Sequence, residues 1–260
     1  MRLANVTGKK VEEYLEKSKT IVIAVGSIEN HGRHMALGTD TLIPDRILEL
    51  LEEKSDVLIA PTIPYGSTDS IEGCTGTVNI GSDGLVLILT KIVDSLYRYG
   101  FRRFIILNGH GGNCKPIEAV GMHLHRKGAY LACLNWWLMA GELRPEWKGG
   151  HGGGEETAGL MGVDPALVDM DYINDTMEMI NDVSDELPTV SWSTVRFNGA
   201  SVTIPRESRY YFGNGWYGAD LPSTATPEWG REMLQTMADY MVKFIDAFER
   251  APLPEEHGCC

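Results

Sequence analysis

Four apolar runs punctuate the chain: TIVIAVG (20–26), DVLIAPTI (56–63), RRFIILNG (102–109) and AYLACLNW (129–136). Each has a largely apolar centre, β-branched in the first three, the pattern of a strand covered on both faces. Between them the apolar positions recur at helical spacing. In TLIPDRILELLEEK (41–54), Leu42, Ile43, Ile47, Leu48 and Leu51 share a face, and Pro44 falls in a first turn, where its missing N–H is tolerated. SDGLVLILTKIVDSLYRYG (82–100) offers Ser82 or Asp83 as N-cap and Gly100 as a stop, and CKPIEAVGMHLHRKG (114–128) stops at Gly128. Strand and helix alternate, which predicts an α/β fold of three layers with a mostly parallel central sheet. Ligands of such folds gather beyond the carboxyl ends of the strands, so the loop after the first run and NGHGGN (108–113) after the third should meet at one edge.

The chain beyond residue 164 is less regular. Residues 183–228 are rich in Gly, Pro, Ser and aromatics and read as an irregular excursion with room for one hairpin. TPEWGREMLQTMADYMVKFIDAFER (226–250) reads as a long amphipathic helix, with Thr226 as N-cap and Pro227 in its first turn. No repeat, linker or low-complexity block forces a boundary, so 1–260 is taken as a single domain.

Composition narrows the partners. A formal charge of −13 disfavours nucleic acid and anionic membrane surfaces, and no basic patch offsets it. Five cysteines (Cys74, Cys114, Cys133, Cys259, Cys260) show neither a CxxC pair nor regular spacing, so no disulfide framework or thiolate zinc site is expected. No apolar run has the length of a signal or a membrane span, which makes the cytoplasm the expected location. The terminal HGCC reads as a frayed tail, with lipid attachment at Cys259 or Cys260 as the remote alternative.

Candidate chemistry lies in three loops. SIENHGRHMALGTD (27–40) places Glu29, His31, His34 and Asp40 directly behind the first apolar run. Glu29 and His31 would leave an extended chain on the same side, and Asp40 stands just before the first of the predicted helices. An oxygen-rich set with one imidazole suits zinc or manganese; a solvated loop with an N-capping Asp40 is the alternative. His110 sits among glycines in NGHGGN, and GGHGGGEETAGLM (149–161) places His151, Glu155 and Glu156 at the start of a predicted helix, where acids also complement the helix dipole. His123 and His125 read as solvent-facing at a helix end. The cluster of Tyr210, Tyr211, Trp216 and Tyr217 suits a pocket wall or a subunit interface.

VGSIENHGRHMALGTDTLIP (25–44), TGTVNI (75–80), NGHGGN (108–113) and HGGGEET (151–157), in this order, resemble the creatininase (creatinine amidohydrolase) family. The resemblance covers roughly the first 165 residues. It implies a creatininase-like fold in which Glu29, His31, Asp40 and His110 are metal ligands, with Asp40 bridging two divalent ions. Glu156 matches the acid of the last motif, as the remaining ligand and as partner in catalysis to His151, which would transfer protons. Trp137 and Trp147 fall where the family has tryptophans beside the substrate, with packing as their alternative, and Thr77 is assigned to that surface. Gly112 and Gly150 stand where creatininase has acids, which bears on the substrate.

The implied protein is a metal-dependent hydrolase that opens a small cyclic amide with water activated by two ions per subunit, zinc or manganese, with iron as a further candidate. The implied assembly is a homo-oligomer, a hexamer among the options. The rival readings are hydrolysis of a cyclic ketone such as 3-dehydro-scyllo-inosose, or deformylation of a pyrimidine precursor. A third, of a different class, is a non-catalytic metal-stabilised assembly.

Overall fold

Thr20–Val25 forms the first strand, β1, and every one of its residues is buried. The structure, a computed structural model, describes residues 1–178, 182–191, 193–208 and 211–255. α1 (Gly8–Leu15) precedes β1, and α2 (Thr39–Glu52), β2 (Leu58–Ile59), α3 (Gly81–Tyr99), β3 (Arg103–Asn108), α4 (Cys114–His125) and β4 (Tyr130–Asn135) follow it in turn. The four strands pair in parallel in the order β2-β1-β3-β4.

Alternation along the strands sorts the side chains into two cores. Ile21, Ile23 and Val25 pack with Phe104 and Ile106 against Leu85, Leu89 and Val93 of α3 and Ile117 and Val120 of α4. Val22, Ala24, Ile105 and Leu107 face the other way, onto Ile43, Ile47 and Leu51 of α2. That second core is completed by α5 (Trp136–Leu143), α6 (Gly154–Val163) and α7 (Pro227–Arg250), the last contributing Met233, Met237 and Met241. Three layers result, as the pattern of runs predicts. No helix among the described residues is long and apolar enough to cross a membrane.

Several expectations need correction. The run at 56–63 yields a strand of only Leu58–Ile59 plus an isolated bridge from Ile63 to Val25, because Pro61 has no N–H to donate to a ladder. α2 begins at Thr39, so Asp40 lies inside its first turn rather than before it. Neither Ser82 nor Asp83 caps α3; Ser82 is within the helix and donates to Asp69 Oδ2 at 3.1 Å. The excursion carries three strands instead of one hairpin: β5 (Thr189–Ser191), β6 (Thr194–Phe197) and β7 (Ala200–Thr203) form a separate antiparallel sheet. His123 is half-buried, its Nε2 2.8 Å from Asp94 Oδ1. Thr226 caps α7 as expected, its side chain accepting from Trp229 N–H. The HGCC tail and Tyr210 lie outside the described residues.

The strand order places the site. From β1 the chain crosses to β2 on one side, and β3 joins β1 on the other, so the direction of winding reverses between β1 and β3. Val25 and Asn108 are register partners at the carboxyl end of this pair, and the loops that follow them enclose the crevice where such folds hold ligands.

Candidate metal centre

Six predicted residues meet at this crevice. The loop after β1 supplies Glu29 and His31, the first turn of α2 supplies Asp40, and the loop after β3 supplies His110. Packing of α6 against α2 brings in Glu156 from its first turn and His151 from the glycine loop before it. The side chains of Glu29, His31 and Asp40 are at most 2% exposed, and His110, Glu156 and His151 at most 10%.

Asp40 stands between two ligand sets. Its Oδ1 lies 3.0 Å from His31 Nε2, which is also 3.6 Å from Glu156 Oε2. Its Oδ2 lies 3.2 Å from His110 Nδ1, which is also 2.9 Å from Glu29 Oε2. Glu29, Asp40 and His110 therefore form one triad and His31, Asp40 and Glu156 a second; Glu29, His31 and His151 form a third possible grouping.

Backbone carbonyls orient the imidazoles. His31 Nδ1 lies 3.2 Å from Glu29 O, His110 Nε2 lies 2.9 Å from Ser67 O, and His151 Nε2 lies 2.9 Å from Asn30 O. With those nitrogens donating, the other nitrogen of each ring turns a lone pair toward the acids, the arrangement that outer partners impose on metal-binding histidines. Both oxygens of Glu29, Oδ1 of Asp40 and Nε2 of His31 are buried without a directed hydrogen bond. Crowded acceptors without donors are costly in a protein interior, and a divalent cation satisfies them together. The donor set fits one.

The crowding of these groups also marks their electrostatics. Burial pushes the carboxyls of Glu29 and Glu156 up, Glu156 to about 7. Burial also opposes charge on His31, yet the carboxylates of Asp40, Glu156 and Glu29 raise it to about 10. Burial would push Asp40 up too, but the facing imidazoles hold it well below the usual carboxylate range. Burial, reinforced by the charge on His31, pulls His151 down to about 3.

Surrounding residues set this geometry. Ser27 Oγ donates to Asp40 Oδ2 at 2.8 Å. Asn113 donates from Nδ2 to Gly26 O and Asn108 Oδ1 and accepts from Ser67 N–H, tying the ends of β1 and β3 to the segment that holds His110. Thr77 Oγ1 accepts from the N–H of Asn30, between Glu29 and His31. His34 is buried, with Nε2 3.0 Å from Thr157 Oγ1, and burial pulls it down to about 4. Trp147 is 4% exposed within the core, under the Arg144 guanidinium, which fits its packing alternative. Trp137 is half-buried and stands beside Gly111, next to His110.

The two glycines that depart from the family have no room for a side chain. A Cβ at Gly112 would lie 2.0 Å from Ser67 O and 2.5 Å from His110 Nε2, and one at Gly150 would lie 2.4 Å from Tyr217 O. Sequence reasoning assigned no role to Ser27, Ser67, Asn113, Phe212 or Asp220. Asn113 was visible within NGHGGN, whereas Ser67 acts through its carbonyl, which leaves no mark on residue type.

A family model described as creatinine amidohydrolase matches residues 4–245. Over 114 residues the chain is 34% identical to a mycofactocin precursor peptide peptidase of Mycolicibacterium smegmatis, 42% of this chain and 46% of that one, so the match spans under half of that relative. It is 27% identical over 177 residues to a creatinine amidohydrolase of Pseudomonas putida, covering 60% and 68% of the two chains. It is 28% identical over 184 residues to a 3-dehydro-scyllo-inosose hydrolase of Thermotoga maritima, covering 66% and 58%. A solved structure described as a manganese creatininase superposes with a TM-score of 0.75 over 96% of this chain and 99% of that one, at 22% identity, a likeness of fold. The family match runs far past the four motifs, through the irregular excursion and into α7, and the chain belongs to the creatininase family.

Proposed function

We propose that this chain is a two-metal hydrolase of an amide C–N bond. The observation that carries the reading is Asp40, whose two oxygens face two separate carboxylate-imidazole sets. Glu29 and His110 with Asp40 would hold one cation, and His31 and Glu156 with Asp40 the other; imidazole with carboxylate suits zinc or manganese. Such a pair supplies Lewis acidity toward a carbonyl and brings the pKa of water toward neutrality, to about 7 in favourable sites.

The chain's own residues supply the proton path. His151 is stacked on His31 at 4.4 Å between ring centroids, and burial holds it in the neutral form, in which Nδ1 carries a lone pair. Its Nε2 is held by Asn30 O, and Nδ1 points at the cluster, 3.6 Å from Glu29 Oε1. A proton taken at Nδ1 from water can pass to the departing nitrogen, which must leave as an amine. Burial of the centre keeps bulk water from competing with these groups.

For the substrate, a small cyclic amide is the first reading. A linear amide is the second, favoured by the similarity to a peptidase. Trp137 and Thr77 are proposed to border the substrate. A homo-oligomer is proposed with this reading, since Val190, Phe197 and Val202 of the three-stranded sheet are each more than 40% exposed.

Metal analysis of the purified protein, paired with turnover assays on creatinine, other lactams, short peptides and inososes, tests the proposal. Two ions per chain with amide cleavage is the expected result. Ring opening of an inosose alone would replace the amide reading, and bound metal with no turnover on any substrate would favour the non-catalytic assembly.

A further inference from the structure

α6 carries Glu156 in its first turn, yet its own N-cap, Gly153, has no side chain to satisfy the free N–H groups there. The missing acceptor comes from far along the chain. Asp220 Oδ2 accepts from Glu155 N–H at 2.7 Å, and the Asp220 carbonyl accepts from Gly154 N–H at 3.3 Å. The N–H groups of Gly150 and Gly154 also face its carboxylate. A negative side chain at this place complements both the open donors and the helix dipole.

Asp220 also ends the segment that covers the centre. Phe212 lies 5.6 Å from the His151 ring, and Tyr217 N–H donates to His151 O at 2.7 Å. The Tyr217 carbonyl sits where a side chain at 150 would begin, and Trp216 presses on Gly152. One carboxylate thus joins the cover, the glycine loop that carries His151, and the helix turn that carries Glu156. No other described side chain accepts a hydrogen bond from the backbone N–H groups in the first turn of α6.

We propose that Asp220 is a positioning residue of the metal centre: by capping α6 from outside it fixes Glu156 and His151 relative to His31 and Asp40. The ion held by His31, Asp40 and Glu156 depends on it, and the ion held by Glu29, Asp40 and His110 does not, since Asp220 touches neither the loops of Glu29 and His110 nor the first turn of α2. This inference rests on the two-metal reading.

The test compares wild type, Asp220→Ala, Asp220→Asn and Thr226→Ala, the last removing the N-cap of α7 as a control for simple loss of a helix cap. Manganese binding is titrated in each, with thermal melting beside it. Wild type should bind two ions. Asp220→Ala should weaken one of them by at least tenfold while the other stays within about twofold; Asp220→Asn, which keeps one acceptor oxygen, should fall between. Thr226→Ala should lower the melting temperature and leave both affinities unchanged. Two unchanged ions in Asp220→Ala, an equal weakening of both, or the same loss in Thr226→Ala would each overturn the positioning role. If Asp220→Ala does not fold, Asp220→Asn decides by the same criteria. A wild type that binds no manganese or zinc fails the two-metal reading itself, a separate result.

Discussion

His110 Nε2 lies 2.9 Å from the backbone carbonyl of Ser67, and that contact occupies the space in which any side chain at position 112 would start. The bond fixes the ring so that Nδ1 faces Glu29 and Asp40. Gly112→Ala should break it, costing about 1–3 kcal/mol of stability and roughly 10–100-fold in manganese affinity at the Glu29–Asp40–His110 set. Thermal melts and calorimetric titration read both effects. An alanine variant with unchanged melting and affinity would show that Ser67 does not orient His110.

Asp40 faces both carboxylate-imidazole sets, so on the two-metal reading its loss should be felt at both. Asp40→Ala should lose both ions and all turnover, as measured by metal analysis after dialysis. Retention of two ions would remove the bridging role. Retention of one would show that a triad survives without it.

His151 separates proton transfer from metal binding. His151→Gln should keep two ions and lose turnover by about 10²–10⁴-fold. The third grouping, with Glu29 and His31, makes the opposite prediction. A variant that retains only one ion would make His151 a ligand.

The two tryptophans differ in burial and should differ in effect. Trp147→Ala, in the core, should cost about 3–5 kcal/mol in denaturant unfolding. Trp137→Ala, half-buried beside the His110 loop, should raise KM with a smaller loss of stability. A KM that moves equally in both variants would argue against substrate contact by Trp137.

Away from the centre, Asp94 joins α3 to α4, accepting from Lys127 Nζ at 2.7 Å and facing His123 Nε2 at 2.8 Å. Burial pushes its carboxyl up, but these two partners together pull it below the usual value. The folded pKa is below the unfolded one, so the stabilisation is present above about pH 4 and is lost as pH falls through the folded value. Partly exposed, it should contribute about 1 kcal/mol or less. Asp94→Asn should melt below wild type at pH 6, with the gap closing as pH falls below about 4; a gap that persists in strong acid would point to packing instead.

Strands and the residues of the candidate centre were legible where residue type alone decides the outcome. The runs around Ile21–Val25 and Phe104–Leu107 are apolar because both faces are covered, and that leaves a direct trace in composition. Glu29, His31, Asp40, His110 and Glu156 were legible as chemistry-bearing residues crowded behind those strands. What escaped reading acts through the backbone or across long separations. Ser67 holds His110 with a carbonyl, Asp220 caps a helix 65 residues before it, and Pro61 shortened a strand whose apolar pattern was otherwise convincing. α5 went unseen because only Asn135 separates the apolar run of β4 from Trp136, leaving no turn signal between strand and helix.

The backbone of Tyr217 and Gly218 occupies the place where a side chain at position 150 would stand. Residues 67 and 68 positions further along the chain therefore set how small position 150 must be. A longer residue at position 150 would need a different path for the stretch from Phe212 to Asp220, so that loop and that glycine can change only together.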